Sequence, residues 1–387
     1  AAFAVNDIET LNIVSKGGNA TGHQLGNTSS NGGFEANAAK TINISGDTKL
    51  TLNLDTDTKF ETLNIEGTGK HVIDFVGTGT VTYDSGKNVT VNSTSKSDLT
   101  LDLSQIVLET GTSTIETMSI TTGSGADKIT LGNFQGARLV LDAGDGDNII
   151  VVKGDGPGTS NTDDISGDIS ITTGAGKDTI VFGSSSNASG TDLESSSGKV
   201  TISTGAGDDQ VKLGNVTKNG STIDLGDGAD KVYVGIAATG AVGITNDVVI
   251  TTGAGADTIY LYKPDDATGT NNKDQKIVIT DFTAGAGGDV LNLSGWVGTG
   301  FATSVHVATG GTNFNAKMET GTGLKVYLLR AFDQGDIVAA THATDATSGK
   351  VFNLGATVSA NAGKALAVLF NNNTGLTEVW VAYDTDT

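Results

Sequence analysis

Thr251-Thr252-Gly253-Ala254-Gly255-Ala256-Asp257-Thr258-Ile259-Tyr260-Leu261 reads as a glycine-paired turn, a carboxylate and then an alternating strand. The pattern Gly-x-Gly-x-Asp-x-(Ile/Val/Leu) recurs between Gly123 and Leu291. Its copies are Gly123, Gly125 and Asp127; Gly174, Gly176 and Asp178; Gly205, Gly207 and Asp209; Gly226, Gly228 and Asp230; Gly253, Gly255 and Asp257; and Gly285, Gly287 and Asp289. A seventh copy, Gly144 and Gly146, carries Asn148 in the Asp place. Turn chemistry explains Asp near a glycine bend but not Asp at one fixed offset in every strict copy.

Short strands flank each turn. Ile169-Ser170-Ile171 precedes and Thr179-Ile180-Val181-Phe182 follows the turn at Gly174, and both alternate with period two. Helical periodicity is nearly absent. The shortest repeat, 21 residues from Gly123 to Gly144, holds a strand, a turn, a second strand and a return loop. Longer repeats differ mainly in that loop. The pattern predicts an all-β chain, a right-handed parallel β-solenoid or β-roll with one glycine turn per coil. The alternative puts turns on both edges, as in a tandem nonapeptide roll.

The same unit extends upstream. Ile8-Glu9-Thr10-Leu11-Asn12-Ile13 reappears as Phe60-Glu61-Thr62-Leu63-Asn64-Ile65 and as Ile115-Glu116-Thr117-Met118-Ser119-Ile120. The second copy runs into Gly67-Thr68-Gly69-Lys70-His71, the same turn with His71 in the Asp place. About eleven rungs at strand spacing would make a rod roughly 50 Å long. The expected division is acid-poor rungs over 1–121, acid-bearing rungs over 122–295 and a small antiparallel β cap over 296–387. Trp296 is expected to cover the solenoid end, Leu324 to Leu329 and Val351 to Leu354 to form strands, and Ala365 to Phe370 with Leu376 to Tyr383 to form a hairpin.

Composition fits a repeat protein. The 387 residues include 55 Gly, 2 Pro and no Cys, and 44 acidic against 23 basic side chains leave a formal charge of −21. That length exceeds what one compact all-β domain holds. The charge repels nucleic acid. No apolar run reaches the ~20 residues of a spanning helix, and Ala1 begins nothing like a signal peptide, so the chain reads as a fragment of something longer. No Gly-x-Ser-x-Gly elbow, phosphate loop or cysteine nucleophile is present. The expectation is a protein that is not an enzyme. His23, His71, His306 and His342 lack metal-ligand spacing. Asp55-Thr56-Asp57 and Asp384-Thr385-Asp386 have a metal-like look but are short, so a plain surface role is the favoured reading of each.

A Gly-x-Gly pair lets the backbone take positive φ and turn carbonyl oxygens to one side. The Asp adds a hard anionic oxygen. Calcium takes six to eight such oxygens in a tolerant geometry, more than one turn supplies, so the expected arrangement is several Ca2+ ions shared between stacked turns. Six ions would bring the formal charge from −21 to about −9. The glycines and aspartates of all seven turns are the candidate ligands, with Asn148 offering an amide or backbone oxygen. Asp145, Asp147, Asp208 and Asp227 are either further ligands or solvated turn residues.

The motif resembles the calcium-binding nonapeptide of the RTX family, with coverage from about Gly123 to Leu293. It departs by mostly lacking the extra glycine before the pair and by not running in tandem nines. The looser spacing and the Thr-, Asn- and Ala-rich degenerate rungs are more similar to RTX-type surface-layer proteins of Gram-negative bacteria. That resemblance implies type I secretion, a location on the outer cell surface, and calcium-dependent self-assembly into a two-dimensional lattice. It also implies anchoring to an outer-membrane polysaccharide through a region not in this chain. The loops Gly183 to Gly198, Gly235 to Asp247 and Pro264 to Gln275 are the candidate lattice contacts. The alternative reading is the C-terminal RTX portion of a secreted enzyme or adhesin.

Overall fold

A short strand with period-two alternation buries only one face, and stacking similar coils covers that face in every rung. The computed structural model of the chain has this form. It describes residues 3–292, apart from 6, 19–20, 28–31, 78, 80, 84–85, 110–116, 133, 136, 154–166, 184–197, 214–219, 235–247, 262–276 and 284–287. Beyond these it describes strands within 304–382. Among the described residues all regular structure is β, and no helix is long and apolar enough to cross a membrane.

Two long parallel sheets are built from alternate strands. Those that precede a glycine turn, such as Ile169–Thr172, Val200–Ser203, Ser221–Asp224 and Val248–Thr251, form an entry sheet. Those that follow it, such as Thr179–Phe182, Gln210–Leu213, Lys231–Val234 and Thr258–Leu261, form an exit sheet. Each described glycine turn joins entry to exit, so these turns share one edge. One turn per coil is therefore the arrangement, and turns on both edges are not.

The registers stack like on like. Ile171, Ile202, Ile223 and Ile250 face one another through successive entry strands, as do Ile180, Val211, Val232 and Ile259 through the exit sheet. None of the eight is more than 1 % exposed. Branched side chains suit this position because they fill the gap between sheets with little rotamer freedom to lose.

The acid-poor coils continue the same sheets. Thr10–Ser15, Thr41–Gly46, Thr62–Ile65, Val89–Ser93 and Thr117–Thr121 are consecutive entry strands. The repeated hexapeptides do not all align as their sequences suggest. Leu63 pairs with Val91 and Val91 with Ile120, whereas sequence similarity matches Leu63 to Met118. The slip is an even number of residues, so Met118 and Ile120 both still point inward. A short third parallel sheet, Val81–Thr82, Ile106–Glu109 and Phe134–Gln135, adds a side to two of these coils and to the first acid-bearing one.

On the outer face of the entry sheet, Asn12, Asn43, Asn64 and Asn92 form a ladder. Each amide after the first donates to the side-chain carbonyl of the rung below, Asn43 to Asn12 and Asn64 to Asn43 at 2.8 Å and Asn92 to Asn64 at 3.2 Å. Asn64→Ala removes two of these bonds and Asn12→Ala one. The expected cost is about 1–2 kcal/mol for Asn64→Ala, read as a lowered urea midpoint, and about half that for Asn12→Ala. Equal effects would dismiss the ladder as a stabilising element.

Beyond the solenoid, Ala365–Asn371 and Leu376–Ala382 pair antiparallel as a hairpin, and Leu376–Ala382 also pairs antiparallel with the last entry strand, Ile277–Ile279. Ser304–Ala308, Lys325–Arg330 and Ala365–Asn371 run parallel to one another, so the strand pairing in this region is mixed rather than wholly antiparallel. Trp296 and Val351 to Leu354 lie outside the described residues, as do most of the three candidate contact loops.

Candidate metal-binding column

Glycine pairs at one edge of the described acid-bearing coils bring their turns into a single stack. Their middle residues are paired in parallel, Ala175 with Ala206, Ala206 with Asp227 and Asp227 with Ala254. Each middle N–H donates one rung back, Ala206 to Gly174 O at 3.1 Å, Asp227 to Gly205 O at 2.9 Å and Ala254 to Gly226 O at 3.0 Å. Each second-glycine N–H donates one rung forward, as Gly207 does to Asp227 O at 2.7 Å. At Gly205 and Gly207 the backbone takes φ of +91° and +140°, a path that side-chain-bearing residues rarely follow.

The Asp that ends each turn points inward. Asp127, Asp178, Asp209, Asp230 and Asp257 are all at most 2 % exposed. One carboxylate oxygen has a fixed job: it accepts the backbone N–H of the equivalent residue one rung back. Asp178 Oδ1 accepts from Asn148 N at 2.8 Å, Asp209 from Asp178 and Asp230 from Asp209 at 2.7 Å, and Asp257 from Asp230 at 2.8 Å. Asp127 serves Leu99 N in the same way at 2.7 Å. The second oxygen, Oδ2, is buried and without a hydrogen bond of good geometry in all five. The hydroxyls of Thr122, Thr173 and Thr204 lie close enough to Asp127, Asp178 and Asp209 to temper their pKa, but they are directed at carbonyls of the next rung. An ionised oxygen held so far from water and unpaired is costly.

Electrostatics records that cost. Burial pushes the carboxyls of Asp127, Asp209 and Asp257 up to about 6 and that of Asp230 up to about 7, and it raises Asp178 in the same direction. Repulsion between stacked neighbours adds to it, Asp209 and Asp257 acting on Asp230. Without a compensating cation these groups hold protons at pH values where ordinary aspartates are charged.

Two column positions differ. Asn148 is fully buried. Its Oδ1 accepts Asp127 N–H at 3.0 Å, and its Nδ2 donates to Gly144 O at 3.1 Å and Gly146 O at 2.9 Å. Asp289 has both oxygens engaged, Oδ1 by Asp257 N at 3.0 Å and Oδ2 by Thr283 N at 2.7 Å. Gly285 and Gly287 of that turn lie outside the described residues.

Upstream, His71 occupies the Asp position of the Gly67 turn. It is 1 % exposed, accepts Leu50 N–H at Nδ1 (3.2 Å), and leaves Nε2 buried without a partner. Leu99, the next position, carries no acceptor, so the side-chain ladder is interrupted after His71 and resumes where Asp127 accepts Leu99 N–H.

Asp145, Asp147, Asp208 and Asp227 lie on the exposed outer side of the turns. Oδ1 of the first three accepts a backbone N–H from the following rung, Ala175 at 2.9 Å, Lys177 at 2.8 Å and Ala229 at 3.0 Å. Two further features of the turns carry no glycine signature. Thr122, Thr173 and Thr204, each just before a first glycine, are buried and donate to a carbonyl of the next rung, Ala143, Thr204 and Leu225. The recurring Thr-Gly step is the sequence signal for them. Asp281 receives Thr252 N at 2.8 Å, Thr252 Oγ1 at 3.0 Å and Gly253 N at 2.7 Å, closing the last described turn from the rung above.

Among the described residues no three His, Cys, Asp or Glu side chains converge on one point. A cation seated in this column would take one carboxylate oxygen from a rung and draw the rest of its shell from turn carbonyls. That donor set, all hard oxygen with few charges, suits calcium rather than zinc or copper. No family model matches the chain, and no curated protein or solved structure matches it either.

Proposed function

We propose that the chain is the calcium-dependent assembly region of a bacterial surface-layer protein, a β-solenoid that pairs with copies of itself in a two-dimensional lattice outside the cell. The observation that carries the calcium part is the row of five buried Oδ2 atoms without partners, repeated at rung spacing along one edge. Asp127, Asp178, Asp209, Asp230 and Asp257 would hold the ions together with carbonyls of the paired glycines. A bound cation supplies the positive charge that lets these carboxylates ionise while buried. The lattice part rests on the resemblance described above.

Calcium then acts both as a folding ligand and as an assembly switch, because it stabilises only the stacked turns and removes repulsion between acidic rods. Far-ultraviolet circular dichroism and light scattering of the chain with calcium and with chelator test this reading. Expected are a large rise in the thermal midpoint of the β signal and growth of regular sheets in calcium, visible by electron microscopy. A chain that is as stable and as self-associating in chelator as in calcium would sink the calcium reading. One that calcium stabilises but leaves monomeric would overturn the lattice and leave the metal column standing.

A further inference from the structure

We infer that Asn148 makes an ion-free rung, its side-chain amide standing where the other column positions hold a cation; this rests on the calcium reading above. Oδ1 and Nδ2 of an amide look alike, but here chemistry assigns them. The atom facing Asp127 N–H has to be an acceptor, so it is Oδ1, and Nδ2 faces the other way. The bond from Asp127 N to Asn148 Oδ1 is the same rung-to-rung bond that Asn148, Asp178, Asp209 and Asp230 make to the next aspartate. By register, therefore, Nδ2 of Asn148 takes the place of Oδ2 in an aspartate rung.

What surrounds that place is acceptor on both sides. Nδ2 satisfies two carbonyls of its own turn, Gly144 O and Gly146 O. A carboxylate oxygen put there meets the same two carbonyls lone pair to lone pair, and it is Oδ2 of the aspartate rungs that is left without a partner. Two N–H donors therefore do at this rung what a positive ion would do at the others. The column is divided accordingly, with Asp127 on one side of the amide and the run from Asp178 onward on the other.

The exchange should work in both directions. Calcium bound per chain, measured by elemental analysis after desalting from calcium, and the thermal midpoint in EDTA are compared for the wild-type chain, Asn148→Asp, Asp209→Asn and Asp209→Ala. Asn148→Asp is expected to bind about one more ion and to melt lower in EDTA. Asp209→Asn should bind about one fewer and melt higher in EDTA, by about 3 °C or more, because its amide can reach Gly205 O and Gly207 O. Asp209→Ala should lose the ion and also melt lower, since Asp178 N–H then lacks its acceptor. If Asn148→Asp does not fold, Asp209→Asn decides. An unchanged ion count in Asn148→Asp, or no gain of stability in Asp209→Asn, overturns the inference while wild-type binding keeps the calcium reading. A wild-type chain that binds no calcium overturns both.

Discussion

In chelator, the thermal midpoint of this chain should fall as pH rises from about 4 to about 7.5, the reverse of ordinary acid denaturation. Aspartate in the unfolded chain ionises near 3.9. In the folded column Asp127, Asp209 and Asp257 ionise at about 6 and Asp230 at about 7, because burial disfavours the charge. Between those values the folded state binds more protons than the unfolded one, so the slope of unfolding free energy with pH is negative. The stabilisation is fully present below about pH 4 and is lost as pH climbs through 6 to 7. A tenfold difference in proton affinity between folded and unfolded chain is worth about 1.4 kcal/mol per group. The groups are coupled, so a drop on the order of 10 °C is expected rather than the full sum.

Opposing terms are smaller. Glu61 and Asp98 are held below the usual range by Lys87 and Lys70, but these are exposed pairs that contribute little. Burial lowers the pKa of His71 and so costs stability on the acid side, one group against the column's five. In saturating calcium the profile should invert over the same window, since the ion binds only ionised carboxylates and releases their protons. A midpoint in chelator that is flat or rises from pH 4 to 7.5 would mean that the column aspartates are not buried and unpaired.

The stack itself was legible because its chemistry sits at fixed offsets. Gly-x-Gly-x-Asp before an apolar residue predicted turns in register, and variable loops between Phe182 and Val200 or between Val234 and Val248 predicted that turns occupy one edge only. The matching of His71 to the aspartates also came from its place after Gly67 and Gly69. The inward direction of the carboxylates was there to be read as well. Asp127, Ile129 and Leu131 are two apart, so a period-two strand sends all three to the same face. What local pattern cannot show is a partner one rung away. Asp281 closes the turn at Thr252 from a different coil, and the slip that pairs Val91 with Ile120 rather than Met118 depends on how coils settle against each other.

Gly207→Ala should cost at least about 3 kcal/mol and remove calcium from the sites on either side of it. A β-carbon built on Gly207 falls well inside contact distance of Gly176 O in the rung below, and that obstacle is backbone with neighbours of its own. The φ of +140° adds strain that alanine cannot relieve in place. To make room the turn must lift, which breaks Gly207 N–H to Asp227 O and unpairs Ala206 from Ala175 and Asp227. Since a solenoid rung is held only by its two neighbours, the damage is confined to the turn stack there and separates Asp178 from Asp230. Gly220→Ala is the control that isolates strain from collision. Its φ is +82°, also left-handed, but no heavy atom lies within 4 Å of the added carbon, so its cost should be about 1 kcal/mol. Urea unfolding in calcium, with bound ions counted alongside, distinguishes the two. If Gly207→Ala is no worse than Gly220→Ala and keeps its ions, the turns do not depend on close backbone stacking, and the column loses its structural basis.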